Sequence, residues 1–306
     1  MKFLSALLLG CTLQAPVPHS PTDLNTPRVA NMQPATPILS SLRVVSWNID
    51  QGRQLELLAS ELKANPADLC LLQEVDWRTE RSGHRDIAAE LAGRLHLNFA
   101  YGIEFEELSQ ERDQPAYIGQ ATLTRLPIVR SRVLRFHSQS GFWKPRSWIP
   151  SSLPLLQRRL GSRIALVTEL EFGGRLLVVY NLHLESRSMG KIQAAQLDEV
   201  IADLNRYPPN TASVLGGDLN TKYFPSVFLR KLQRAGFQSA MGERVERTHT
   251  IAMTLDWIFA RGGLSISGGT VRRDFHGSDH YPVYAEVWRG AGQVSGNPVE
   301  KRRGSR

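Results

Sequence analysis

Short apolar runs alternate along the chain with stretches whose apolar residues recur every three or four positions. Strands are predicted at 42–47 (LRVVSW), 68–73 (DLCLLQ), 119–124, 163–171 (RIALVTELE), 174–182 (GRLLVVYNL), 212–216, 255–260 (LDWIFA) and 281–288 (YPVYAEVW). β-Branched residues and alternation coincide there. Helices are predicted at 53–64, 84–96, 190–205 and 224–235. In the first, Leu55, Leu58, Ala59 and Leu62 share a face. In the third, Ile192, Ala195, Gln196 and Glu199 do so on a more polar face. Gly173-Gly174 between two strands reads as a hairpin turn. Hairpins mixed with helical crossovers predict a mixed sheet, not a purely parallel one. The charged run 77–112 reads mostly as a solvated helix face.

The ends differ from the middle. Lys2 followed by Phe3-Leu4-Ser5-Ala6-Leu7-Leu8-Leu9-Gly10-Cys11 predicts a signal peptide over residues 1–20. Leu8-Leu9-Gly10-Cys11 is also similar to a lipobox, in which Cys11 would carry the anchor. The chain is therefore expected to be exported: periplasmic, secreted or lipid-anchored. Residues 21–40 are Pro-rich and lack an apolar period, as a linker does. Ordered structure is expected from Leu42, with one catalytic domain over 41–290 and a disordered basic tail over 291–306. Cys70 lies in an apolar strand, so no disulfide to Cys11 is expected. No other stretch reaches the 18 apolar residues of a membrane span.

The 306 residues are 42% hydrophobic and 22% charged, which excludes a fibrous or wholly disordered chain. The formal charge of +8 suits polyanions, nucleic acid or anionic lipid alike. Lys301, Arg302, Arg303 and Arg306 raise that total from outside any core.

The informative pattern is where polar residues interrupt or follow apolar strands. Asn48 and Asp50 follow LRVVSW, and Glu74 and Asp76 follow LCLLQ. His183 and Glu185 follow LLVVYNL, and Asp218 and Asn220 follow SVLGG. Asp256 enters LDWIF, and Asp279-His280 precedes YPVYAEVW. Singly, a strand-end Asp is usually a turn cap and a lone His a satisfied core residue. Open sheets, however, gather strand-end residues on one rim.

In this order the strings resemble the endonuclease/exonuclease/phosphatase superfamily. They are SWNID (46–50), LQEVD (72–76), TRLPI (124–128), NLHL (181–184), GDLN (217–220), LDWI (255–258) and SDHYPV (278–283). The resemblance implies an α/β fold, a four-layer α-β-β-α sandwich with two mixed sheets face to face. It implies an enzyme, a phosphoric ester hydrolase using Mg²⁺ or Mn²⁺. Glu74, Asn48, Asp50 and Asp279 would hold the metal, through hard oxygen donors. Asp218 would activate the attacking water and Asn220 would hold that water or a phosphate oxygen. The glycines before Asp218 would let the backbone approach the substrate. His280, oriented by Asp256, and His183 would contact phosphate or protonate the leaving group. Arg125 would be structural.

The branch stays open. Asp50 and basicity lean toward a nuclease-like activity, and His183 toward a sphingomyelinase-like or phosphoinositide-like lipid headgroup hydrolase. Glu74, Asp218, Asn220 and His280 are all present, which argues against a catalytically dead scaffold. No clustered His or Cys spacing suggests a zinc hydrolase. The least family-like stretch, 135–163, interleaves Trp143 and Trp148 with Arg146 and Arg158. It suits base stacking with phosphate contacts, insertion at a lipid interface, or packing on its own core. The expected partner is the phosphoester substrate alone, nucleic acid or lipid headgroup, met by a monomer.

Overall fold

The central strands are apolar on both faces, so each must be covered twice. The computed structural model describes residues 23–33, 39–110, 114–150, 156–157 and 159–289. It meets that demand with four layers. One sheet holds β1 (Arg28–Ala30), β2 (Ser41–Gln51), β3 (Leu69–Trp77), β4 (Asn98–Glu106), β5 (Tyr117–Thr124), β7 (Leu160–Gly161), β13 (Leu264–Val271) and β14 (Val283–Arg289). Its order is β1-β4-β5-β3-β2-β14-β13, with β7 beside β4. The other holds β6 (Ile128–Arg135), β8 (Ile164–Phe172), β9 (Arg175–His183), β10 (Ala212–Asp218), β11 (Gln238–Ser239) and β12 (Asp256–Arg261). Its order is β11-β12-β10-β9-β8-β6. Both are mixed: β2 and β3 are parallel, as are β9 and β10, while their outer neighbours are antiparallel.

Alternation sends successive side chains to different layers. From β2 and β3, Leu42, Val44, Leu69 and Leu71 meet the second sheet's Val179, Val214 and Ile258. Val45, Trp47, Cys70 and Leu72 meet the helices α1 (Leu55–Ala64) and α2 (Ile87–Leu95). Val178, Tyr180 and Leu215 of the second sheet meet α3 (Lys191–Leu204) and α4 (Pro225–Arg234). The expected four-layer sandwich is the observed fold. Leu55, Leu58, Ala59 and Leu62 are the buried face of α1, as their spacing predicts. For α3 the face is different: Gln193, Gln196, Leu197, Val200 and Leu204 are buried, not a stripe through Ile192 and Glu199.

Two expectations change. The linker reading of 21–40 does not hold for its described part, because β1 pairs with β4. Arg28 binds Asp86 and stacks over Trp77 at 4.1 Å. Asn31 exchanges two 3.0 Å hydrogen bonds with the Ile128 backbone. The run 77–112 is not mainly a solvated helix face, since Glu104, Glu106 and Glu107 are buried on or beside β4. Arginines make this tolerable: Arg163 binds Glu104 at 2.9 Å, and Arg159 binds Glu107 at 2.7 Å. The leader with Cys11 and the tail 291–306 lie outside the described residues. Cys70 is buried and unpaired, and burial pushes its thiol up to about 12.

A polar tie crosses the apolar layer between the sheets. Gln73 Nε2 donates to Asn181 Oδ1 at 2.7 Å. Asn181 Nδ2 donates to the carbonyls of Leu72 (3.1 Å) and Ala121 (2.9 Å). Asn181→Leu would strand these buried groups, each costing about 1–3 kcal/mol. We expect a urea midpoint clearly lowered at unchanged m-value; an unchanged midpoint would show the tie to be dispensable.

Candidate active site

The parallel pairs β2–β3 and β9–β10 end on one rim. Strands antiparallel to them begin there, so Asp256 opens β12 directly opposite Asp218. Asp279 and His280 precede β14 on the same rim. Topology thus brings together residues spread over more than 230 positions, with Ser278 Oγ donating to the Asn48 carbonyl at 2.6 Å.

The backbone is locally forced at the key positions. The β2–β3 register slips between Asn48 and Gln51, and the β3–β5 register between Leu72 and Val75. Asp50, Gln51, Glu74 and Asn220 have φ of 43°, 64°, 52° and 49°. Such left-handed non-glycine residues cost about 1–3 kcal/mol each and gather at functional sites. Here they turn carboxylates out of the ladder.

Asp218 is buried at the centre. Asn220 N donates to its Oδ1 at 2.9 Å, and Asn48 Nδ2 to its Oδ2 at 3.3 Å. Burial raises its pKa despite the nearby His280 charge. His280 Nδ1 meets Asp256 Oδ2 at 2.9 Å, and its Nε2 lies 3.8 Å from Asp218 Oδ2. Burial alone would lower the His280 pKa, but Asp256, then Asp218 and Asp279, raise it to about 10. His280 is therefore an imidazolium at neutral pH, aimed at the cleft.

His183 is set up in the opposite way. Burial, then the Arg163 charge, holds its pKa well below the usual range. Arg163 lies 2.8 Å from His183 Nδ1, and a guanidinium can only donate. The ring is therefore neutral with its proton on Nε2, which lies 3.6 Å from Asp218 Oδ2 and 3.9 Å from Glu74 Oε1.

The expected metal ligands are only partly gathered. Gln51 Nε2 donates to Glu74 Oε2 at 3.2 Å, and the buried Gln51 Oε1 has no partner. Burial, then the Asp279 and Glu74 charges, hold the Asp50 carboxyl above its usual range. Asn48 Oδ1 accepts the Asp50 amide at 3.2 Å, leaving one lone pair. Asp279 is drawn away to His249, at 3.2 Å from Nε2. The Ile251 amide donates to His249 Nδ1 at 2.9 Å, which places the proton on Nε2. Asp279 therefore groups with His249 and His280, their ligand atoms within 4.8 Å, rather than with Glu74. The partnerless Gln51 Oε1 and the facing Asp50 and Glu74 carboxylates still fit a hard cation.

The glycines correct a second expectation. A Cβ on Gly217 would lie 1.9 Å from the Leu182 carbonyl, and one on Gly216 2.7 Å from Leu71. Their smallness serves strand and sheet packing, not approach of the substrate.

Beside the rim, Trp143 packs edge-on to Phe142 at 4.8 Å and under Arg159 at 4.8 Å, which makes it a loop anchor. Trp148 is 72% exposed, with Arg146 over its ring at 5.6 Å. Arg158 lies outside the described residues. Two grooves of 440 and 410 Å³ share Phe142 and Arg187. Lys144 and Arg146 line the first, Arg81 and Arg159 the second. Arg125 pairs with Asp68 at 3.1 Å, away from the rim, as a structural residue. The sequence offers Arg163 only as one more cation of the 135–163 stretch and gives Glu104 and His249 no role; each acts through a partner distant in the chain.

Two mixed sheets packed face to face between helices, with an acid- and histidine-lined rim, define the class: an α/β sandwich with its polar residues gathered at the strand ends. The family is specific: the Endonuclease/Exonuclease/phosphatase family model matches residues 45–280, so the chain belongs to that family, which includes metal-dependent phosphoesterases and nucleases. No curated protein matches by sequence. Solved structures share the fold. An endonuclease/exonuclease/phosphatase of Beutenbergia cavernae superposes with a TM-score of 0.61 at 18% identity, over 84% of this chain and 74% of that one. The human Nocturnin catalytic domain, with bound sulfate, gives 0.59 at 18%, over 87% and 97%. A humanized D. rerio TDP2 gives 0.57 at 18%, over 81% and 99%.

Proposed function

We propose that this chain hydrolyses a phosphodiester by attack of water, with a divalent cation held chiefly by Glu74 and Asp50. The observation that carries this is the convergence of one buried acceptor, Asp218, with two oppositely prepared donors, His183 and His280. Phosphate hydrolysis needs an aligned, deprotonated water and donors for charge on the phosphoryl oxygens. Asp218, with its raised pKa, is the base. Asn220 Nδ2 is engaged by the Leu184 carbonyl at 3.0 Å, leaving its Oδ1 to orient the water. His280 offers a charged N–H, and His183 a neutral N–H that burial, and then the Arg163 charge, keeps from becoming an imidazolium. His183 therefore fits phosphate contact rather than protonation of the leaving group. A Mg²⁺- or Mn²⁺-type cation, when bound, supplies neutralisation of phosphate and leaving-oxygen charge.

Two substrate readings have separate support. Asp50 and the groove lined by Lys144, Arg146 and Arg187 suit a nuclease-like activity on a phosphate-rich strand. His183 and the expected export suit a lipid headgroup. The test common to both is metal removal. EDTA should reduce turnover of a small soluble phosphodiester at least about 100-fold, with recovery on adding Mg²⁺ or Mn²⁺. Glu74→Ala should raise the cation concentration needed for recovery. Turnover indifferent to EDTA would refute the metal assignment.

A further inference from the structure

We propose that the rim around the active site docks on an anionic lipid surface. Four loops ring the cleft and are joined in series. Ser140 N donates to Glu185 at 3.2 Å, Lys222 Nζ to the Ser186 carbonyl at 3.1 Å, and Thr221 Oγ1 to the Thr254 carbonyl at 2.7 Å. Thr250 N closes the series on the Asp279 carbonyl at 2.8 Å. Each of these loops carries an exposed large apolar side chain. Trp148 is 72% exposed, Met189 74%, Phe224 74% and Ile251 64%. Tyr223 and Val227, flanking Phe224, are exposed as well.

Isolated exposed apolar residues are ordinary, but several around one mouth mark an interaction surface. Phe224 adds a second sign. It has φ of 53°, a conformation unfavourable for a bulky residue, and its ring gains no burial within the chain. On the Trp148 side of this rim, Lys144, Arg146 and Arg187 line one groove beside Phe142, with Arg146 over the Trp148 ring, and none of the three forms a salt bridge among the described residues.

The chemistry selects the occupant. Met189, Ile251 and Val227 have no aromatic face to stack on a base and no donor to read one. A single strand would be met by aromatics throughout. Mixed aromatic and aliphatic side chains beside lysine and arginine are what shallow insertion among anionic headgroups requires. An acylated Cys11, as expected from the sequence, would add a tether of at most about 40 Å over the intervening eleven residues. The surface narrows the phosphodiesterase reading to its lipid-headgroup branch; it rests on that reading only for what is cleaved, not for docking.

The experiment is vesicle co-sedimentation without metal, using the full chain with Cys11→Ser so that no acyl group contributes. Vesicles of phosphatidylglycerol and phosphatidylcholine in equal parts are compared with pure phosphatidylcholine. The test variant combines Met189→Ser, Phe224→Asn and Ile251→Ser; asparagine suits the left-handed backbone at 224. Binding to the anionic vesicles, reduced at least tenfold in the triple variant, supports the proposal when turnover of a soluble phosphodiester stays within twofold. No binding of the parent chain to anionic vesicles overturns it. So does equal binding of the triple variant. Loss of single-stranded oligonucleotide binding in the variant, with no vesicle binding by the parent, would reassign the rim to nucleic acid. Failure of hydrolysis alone would strike the enzymatic reading and leave docking standing.

Discussion

Asp218→Ala lowers kcat by about 10³-fold or more, the range for loss of a positioned general base, with KM changed little. The expectation follows from placement. Asp218 is buried, accepts from Asn220 N and Asn48 Nδ2, and sits within 4 Å of both histidine Nε2 atoms. Among the described residues, no other carboxylate lies within 4 Å of both Nε2 atoms. Asp218→Asn carries a second signature. The folded pKa lies above the unfolded value of 3.8, so the contribution of Asp218 to stability is fully present below the unfolded pKa. It is lost as pH rises through the folded pKa. Metal-free Asp218→Asn should therefore melt higher than the parent at pH 7, and the gap should close below about pH 4. Thermal melts at both pH values, beside steady-state kinetics, check this. Equal or lower melting at pH 7 would show that Asp218 is not held ionised against its environment.

Asp256→Asn should cost about 10²–10³-fold in kcat/KM at pH 8, comparable to removing a preorganised donor. His280 is buried, and Asp256 leads the charges that overcome burial and raise its pKa to about 10. The parent enzyme should therefore keep its activity from neutral pH to roughly pH 9.5 and lose it above, as the imidazolium deprotonates. Without the Asp256 charge, burial is opposed only by the Asp218 and Asp279 charges, so the His280 pKa falls and the alkaline limb moves to lower pH. The acid limb, set by Asp218, lies above the ordinary aspartate range in both proteins. A pH–rate profile on a soluble phosphodiester separates this from simple misfolding, because a misfolded fraction lowers the plateau without moving either limb. An unmoved alkaline limb would exclude His280 as the charged donor.

Much of this was legible in sequence wherever one face or one motif carried the signal. The LCLL run of β3 reads as a strand because both of its faces are buried, and α1 reads as a helix because its other faces are wet. β4, β6 and β13 were not legible. β4 holds Asn98, Glu104 and Glu106, whose burial depends on arginines far along the chain. β6 is punctuated by Arg130 and Arg132, whose partners Glu169 and Asp203 lie 39 and 71 residues away. β13 is thinned by Gly268 and Gly269, beside a register shift. The site divides along the same line. Residues in contiguous strings, such as Asp218-Leu219-Asn220 and Asp279-His280, could be named directly. Arg163, which fixes the tautomer of His183, and His249, which draws Asp279 away from Glu74, act through tertiary contacts that leave no local pattern.

The most direct measurement is a parallel activity panel on the full chain, parent against Asp218→Ala, with Mg²⁺ or Mn²⁺ and with EDTA. The substrates are plasmid DNA, abasic duplex, RNA, sphingomyelin vesicles and inositol phosphates. The expected result is EDTA-sensitive turnover of one phosphoester class that vanishes in Asp218→Ala. Absence of turnover of every phosphoester with either metal, or turnover that survives Asp218→Ala, would contradict it.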